Sequence, residues 1–427
     1  MKKTRNIAFK TALLMVLLLL VAGQATAAIQ GVTGTTFNMT AKADYVSTAE
    51  GNSIYMWGYA LNNGTMQYPG PTLIVDEGAD VTVNLKTDSS VPMATSILFP
   101  GQSGVTATGG AQGLITREAA NDGTTTVTYQ FTALNPGTYT YYSGTRPDLQ
   151  IEMGLVGTLI VRPSGYNETT NRIAYSHADS AYDHEYLFFI SEIDVNIHYL
   201  AEAGMLNQID NASYWPVYWL LNGRTAPDTM SPANAAWLPT QPYNCMPMAH
   251  PGEKILIRWV GGGRDPHPYH THGNHHKVIA RDGRMLSSVS GGPADLAETL
   301  FTSTVVPGGT IDAIWTWTGE KLGWDVYGHA AGDAMVAGEY APDHGKPFPV
   351  QLPSQQDITF GQFYSGSPFL GGLGALPPGE GGFNPNGGFL FMWHSHAEKE
   401  LTNFDIFPGG MLTMMILEHP SVTLVNP

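Results

Sequence analysis

Two short stretches of this sequence concentrate residues that can do chemistry. The first reads His267-Pro268-Tyr269-His270-Thr271-His272-Gly273-Asn274-His275-His276, and the second His394-Ser395-His396. On a β-strand, residues two apart point to the same side. His270 and His272 therefore share a face, as do His394 and His396. Neighbouring strands would bring four neutral imidazoles together, a ligand set suited to copper or zinc. The competing reading is a polar core in which the rings bond one another and water. A softer group, Cys245-Met246-Pro247-Met248-Ala249-His250, offers ligands for Cu(I), or a buried thiol with core methionines. Glu398, Glu400 and Asp405 follow His396. Glu398 would share that residue's face if the strand continued, and otherwise belongs to a solvated acidic loop. Arg264 and Asp265 lie where they can orient His267 or form a surface ion pair.

Strands must hold these residues, and the sequence supplies them. Val81, Val83 and Leu85 alternate with Thr82 and Asn84 after a Glu-Gly turn, the pattern of a half-buried strand. A similar phrase returns at 251–260. The run 136–144 followed by 153–161 is echoed by 389–396 followed by 409–417, so one β-unit occurs twice. The 49 Gly and 29 Pro punctuate short runs of Val, Ile, Thr and Tyr, which predicts an all-β chain of sandwiches or barrels. Trp57, Trp259, Trp315, Trp317 and Trp393, with Tyr139, Tyr141 and Tyr142, read as sandwich core. We place a first domain at 28–165 and a second at 166–427. The second carries a long insertion at about 327–388, rich in Gly and Pro and without strand period.

Lys2, Lys3, Arg5 and Lys10 precede an apolar run from Ala12 to Ala22 and an Ala-Thr-Ala end at 25–27. This is the pattern of a signal peptide over residues 1–27, so export to the periplasm or the medium is expected, with no membrane span after cleavage. The formal charge of −16 argues against nucleic acid as a partner. One cysteine, Cys245, excludes a disulfide framework.

The two histidine stretches resemble a known family. His267-Pro-Tyr-His270-Thr-His272-Gly273 looks like the His-Pro-x-His-x-His-Gly motif of multicopper oxidases. His394-Ser395-His396, with Gly410-Met411 downstream, looks like their His-Cys-His end motif. Pro69-Gly70-Pro71-Thr72, Thr95-Ser96-Ile97, 136–139 and 154–157 resemble the family's first domain. The resemblance implies two Greek-key cupredoxin-like sandwiches in tandem, with a layout similar to small laccases and copper nitrite reductases.

The departures from the family are specific. Its blue copper site uses two His, a Cys and often a Met. At the matching positions stand His267, Glu400, Ser395 and Met411. A serine hydroxyl cannot replace the thiolate, so no blue copper is expected unless Cys245 reaches His267. The trinuclear cluster implied by the resemblance needs His-x-His pairs in the first domain. Leu98 and Pro100, and Tyr142 and Gly144, stand there instead. His270, His272, His394 and His396 remain, enough for one ion. Three functions stay open: a protein that binds one copper, or zinc, without turnover; a copper-dependent oxidoreductase with a non-standard centre acting on a small molecule; and a scaffold without metal. The resemblance also brings a homotrimer into view.

Overall fold

A computed structural model describes residues 29–347 and 388–424. The leader at 1–27 and most of the expected insertion, 348–387, lie outside the described residues. No helix among the described residues is long and apolar enough to cross a membrane.

The architecture is all-β, with two sandwiches in tandem. In the first, β1 (Val32–Thr33), β4 (Leu73–Asp76), β11 (Val156–Arg162) and β10 (Gly137–Tyr142) form one sheet in that order. It faces β3 (Ser53–Leu61), β2 (Thr36–Ser47), β5 (Asp80–Thr87), β9 (Val127–Thr132) and β6 (Thr106–Gly109). A small hairpin, β7 (Ala111–Gln112) and β8 (Arg117–Glu118), stands apart. The alternation read from the sequence is realised in β5, where Val81, Val83 and Leu85 are buried and Thr82 and Asn84 are not. Those side chains meet Trp57, Tyr129 and Tyr141 in one core. Each such apolar side chain contributes roughly 1.5–3 kcal/mol on burial.

The second sandwich repeats the plan. One sheet runs β13 (Tyr218–Leu221), β12 (His184–Ile193), β15 (Lys254–Gly261), β21 (Thr310–Thr316), β17 (His276–Arg281) and β18 (Arg284–Met285), with β19 (Glu298–Leu300) on β17. The other runs β14 (Met248–Ala249), β23 (Leu412–Leu417), β22 (Phe389–Ser395), β16 (His267–Thr271) and β20 (Thr302–Val305). The repeated phrases occupy matching places. β2 pairs parallel with β5, which pairs antiparallel with β9; β12, β15 and β21 repeat this. The hairpins β10–β11 and β22–β23 also match, each closing parallel onto a short strand, β4 or β14.

An apolar layer joins the two sandwiches: Met56, Tyr68, Ile74 and Ile160 pack with Leu187, Phe189, Tyr218 and Val260. A buried ionic group crosses the same boundary. Arg162 of β11 makes two hydrogen bonds to Glu185 of β12, at 2.6 and 2.7 Å, and Arg258 of β15 donates to Glu185 Oε1 at 2.6 Å. Arg258 also reaches Thr138 Oγ1 and Asp312. Burial pushes the Glu185 carboxyl up, but the two guanidiniums overcome it and hold the pKa at about 2.

Candidate metal centre

The pleat of two adjacent strands sorts the histidines. In β22, Phe389, Phe391, Trp393 and Ser395 are buried, while Leu390, Met392 and His394 take the other face. In β16, His267, Tyr269 and Thr271 are buried, while Pro268 and His270 face outward. The strands are antiparallel, with His270 opposite His394 and Tyr269 opposite Ser395. His267 and His270 are three residues apart, so they fall on opposite faces. One pair of strands thus builds two different environments.

The outer face gathers the four histidines picked from the motifs. Ring centroids are 4.6 Å apart for His270–His272, 5.1 Å for His272–His394 and 5.0 Å for His270–His396. Ligand atoms of His270, His272 and His394 lie within 4.8 Å of one another. His272 Nε2 and His394 Nε2 are 3.0 Å apart. His396 is exposed at the rim, just beyond the end of β22. Backbone carbonyls orient two of the rings: His270 Nδ1 is 2.6 Å from Phe301 O and His394 Nδ1 is 2.6 Å from Ser395 O. An Nδ1–H donated to a carbonyl leaves Nε2 with its lone pair turned to the cluster. The Nδ1 of His272 is buried without a hydrogen-bond partner. Burial, together with the neighbouring rings, lowers the pKa of His270 to about 4 and of His272 to about 3, although the Phe301 carbonyl opposes this at His270. Burial also lowers that of His394. These imidazoles are neutral at ordinary pH, the state a metal needs.

On the core face, His267 is clamped between two carboxylates. Its Nε2 lies 2.8 Å from Glu192 Oε2 and its Nδ1 3.0 Å from Glu400 Oε1. Ser395 donates its hydroxyl to the other oxygen of Glu400. Met411 is fully buried beside them, its carbonyl accepting from Ser395 N at 3.1 Å. Burial works against a charged ring here, but Glu192 and Glu400 outweigh it and raise the His267 pKa to about 9. Glu192 was not apparent in the sequence, because it reaches His267 from β12, in the opposite sheet. Of the two expectations for Arg264 and Asp265, Arg264 meets the ion pair, its Nε 3.6 Å from Glu152 Oε2, with Glu152 buried rather than on the surface. The backbone N–H groups of Arg264 and Asp265 donate to Glu192 Oε1, so they hold the carboxylate rather than the ring.

The acidic residues after His396 do not continue the strand. β22 stops at Ser395 and Glu398–Leu401 forms a 3-10 turn. That turn leaves Glu398 exposed and brings Glu400 back, buried, against His267 and Ser395. His276 is also separate from the cluster: it is buried, bonded to Thr271 and Ser303 and packed edge-on to Trp259.

Cys245 sits in the core with Tyr269, Trp393 and Met411, and burial pushes its thiol well up. Met246 and Met248 are half-buried. His250 is taken by Val422 O at 2.9 Å and by Glu253. Among the described residues, no His, Cys or carboxylate group of ligating size contains Cys245 or His250. In the first sandwich, Leu98 and Tyr142 pair through their backbones, and a Cβ on Gly144 would meet the Leu98 side chain at 2.9 Å. Leu98, Tyr142 and Gly144 thus come together, but they present leucine, tyrosine and glycine to one another.

Residues 40–165 match the family model described as Multicopper oxidase. The first sandwich is thus similar to a multicopper oxidase domain. A stretch of 99 residues is 39% identical to "Multicopper oxidase MCE" of Talaromyces pinophilus, covering 23% of this chain and 15% of that relative. The chain therefore spans well under two thirds of that relative's length. The fold of both sandwiches is also that of multicopper oxidases. The blue copper oxidase of Nitrosomonas europaea superposes over 89% of this chain and 85% of its own, at TM-score 0.54 and 19% identity. The multicopper oxidase mgLAC covers 92% and 88%, at TM-score 0.53 and 19% identity. The copper nitrite reductase of Nitrosomonas europaea covers 92% and 98%, at TM-score 0.51 and 16% identity. Copper is the metal this family implies. The outer-face imidazoles fit one such ion, with neutral nitrogens at ligating separation and the Nδ1 atoms of His270 and His394 fixed by carbonyls.

Proposed function

We propose that this multicopper-oxidase-like protein binds a single copper ion through His270, His272 and His394, with His396 closing the open side. The observation that carries this reading is the convergence of three ligating nitrogens within 4.8 Å, from β16, the residue after it and β22. A copper ion bound there would supply redox and Lewis-acid chemistry. The chain itself keeps the imidazoles neutral and aims them through the Phe301 and Ser395 carbonyls. It offers no matching histidines at Leu98, Pro100, Tyr142 and Gly144 for further ions. The blue centre is absent in this reading. Ser395 supplies no thiolate, and Glu192 and Glu400 already engage both nitrogens of His267. Export and a homotrimer belong to the same proposal.

A second reading, a copper-dependent oxidoreductase, is favoured by one observation. His396 and Phe301 are exposed, so the site has an open side from which a small molecule can approach.

Metal content with an absorption spectrum tests both, on purified protein offered copper and then desalted. A parent that holds one copper per chain more than His394→Ala, with no intense blue band, is the expected result. Equal copper in the parent and in His394→Ala, a difference of several ions, or an intense blue band overturns the single-site reading. Turnover of a phenol or a nitrogen oxide that disappears with His394→Ala would establish the oxidoreductase. A chain that takes up no copper is a scaffold.

A further inference from the structure

A second group of metal-ligating side chains lies away from the histidine cluster, in the loop that follows β21. Trp317, Leu322, Trp324 and Val326 anchor this loop in the core of the second sandwich. Beyond them the chain has no strand up to residue 347, only the short turn Ala341–Asp343. Such a length of irregular chain needs something to fix it. Here Asp325, His329, Glu339 and His344 each present one ligand atom, all within 4.8 Å of one another.

The same four atoms recur in every contact. His329 Nδ1 lies 3.6 Å from Asp325 Oδ2 and 3.2 Å from Glu339 Oε1. His344 Nδ1 lies 3.7 Å from Asp325 Oδ2 and 2.6 Å from Glu339 Oε1. Bonds of 2.0–2.1 Å to a tetrahedral zinc ion put neighbouring ligands about 3.3 Å apart. The four separations bracket that value. The side chains are enclosed, at 1% exposure for Asp325, 3% for Glu339, 14% for His344 and 20% for His329.

Backbone groups hold the ligands in place. Gly345 N and Tyr327 N donate to the two oxygens of Asp325, and Val336 N donates to Glu339 Oε2, leaving Oε1 to face the histidines. His344 Nε2 is 3.1 Å from Asp333 O. A proton on Nε2, donated to that carbonyl, turns the Nδ1 lone pair toward the carboxylates. Two lone-pair atoms 2.6 Å apart require a positive charge between them, either a proton or a metal. One divalent ion balances two carboxylates with two neutral imidazoles.

We propose that Asp325, His329, Glu339 and His344 form a second metal site, taking a zinc ion that ties residues 325–344 into one unit. Four protein ligands fill a tetrahedral shell, so the site is structural, with no open position. It is independent of the copper proposed on β16 and β22.

The test uses the full chain carrying His394→Ala, so that the histidine cluster does not confuse the count. The protein is stripped of metal, offered zinc and desalted, then reloaded with cobalt. One zinc per chain and the visible absorption of four-coordinate cobalt are expected. Both should vanish when His329→Ala and His344→Ala are added. No retained zinc in the parent, or equal zinc with and without the two substitutions, overturns the proposal and leaves two imidazolium–carboxylate pairs. Should the His329→Ala, His344→Ala protein fail to fold, Glu339→Gln preserves size and must weaken zinc at least tenfold; unchanged affinity overturns it equally.

Discussion

The clamp on His267 makes a quantitative prediction. An ordinary imidazole loses its proton near 6.5, whereas His267, between Glu192 and Glu400, keeps it to about 9. Between those values the folded chain holds a proton that the unfolded chain has released. Stability from this group is therefore complete below 6.5 and is lost as pH rises through 9. Each pKa unit corresponds to about 1.4 kcal/mol, so the loss is about 3 kcal/mol. The ring is 1% exposed, and solvent screens it little. The measurement is urea unfolding of the metal-free protein, followed by tryptophan fluorescence on both sides of this window. His267→Gln serves as the reference, because it cancels the contribution of every other titrating group. The stability advantage of the parent over His267→Gln should shrink by about 3 kcal/mol across the window. Histidine NMR titration supplies the direct check, and Glu400→Gln should move the transition down. An advantage that does not change with pH, with His267 titrating at or below 6.5, would refute the reasoning: the ring would be neutral and the position open to a metal.

Three further outcomes follow from named contacts. Glu185→Gln removes the anion between Arg162 and Arg258, leaving buried cations short of a partner, and should cost about 3–5 kcal/mol in urea or thermal unfolding. The pair Ser395→Cys and Glu400→His places a thiolate and a second imidazole beside His267 and Met411, while Glu192 still holds His267 Nε2 and leaves Nδ1 facing them. Copper added to that protein should produce the intense absorption of a thiolate–copper bond, and copper uptake without it would show that the ligands do not converge. Gly273 has φ +88° and an added Cβ would lie 2.9 Å from Trp315 and 3.0 Å from Phe391. Gly273→Ala should therefore destabilise by about 1–3 kcal/mol, read from the midpoint of thermal unfolding.

The sequence alone determined whatever depends on local period. Alternation marked Val81, Val83 and Leu85 as the inner face of β5. The i, i+2 rule placed His270 with His272 and His394 with His396, and their rings do gather. The repeated phrases carried the tandem plan, since each copy encodes the same strand pairings. The replacements at Leu98, Pro100, Tyr142, Gly144 and Ser395 were visible as residue types. Only the tertiary structure decided which groups answer the buried polar ones. Glu192 meets His267 across the sandwich, from 75 residues away in the chain, and no strand period points at a partner in the opposite sheet. Glu400 returns to Ser395 because the chain turns after β22 instead of extending. Arg162, Glu185 and Arg258 meet where two sandwiches dock. Asp325, His329, Glu339 and His344 lie on an irregular loop, where spacing carries no directional information and only the folded path makes neighbours of them.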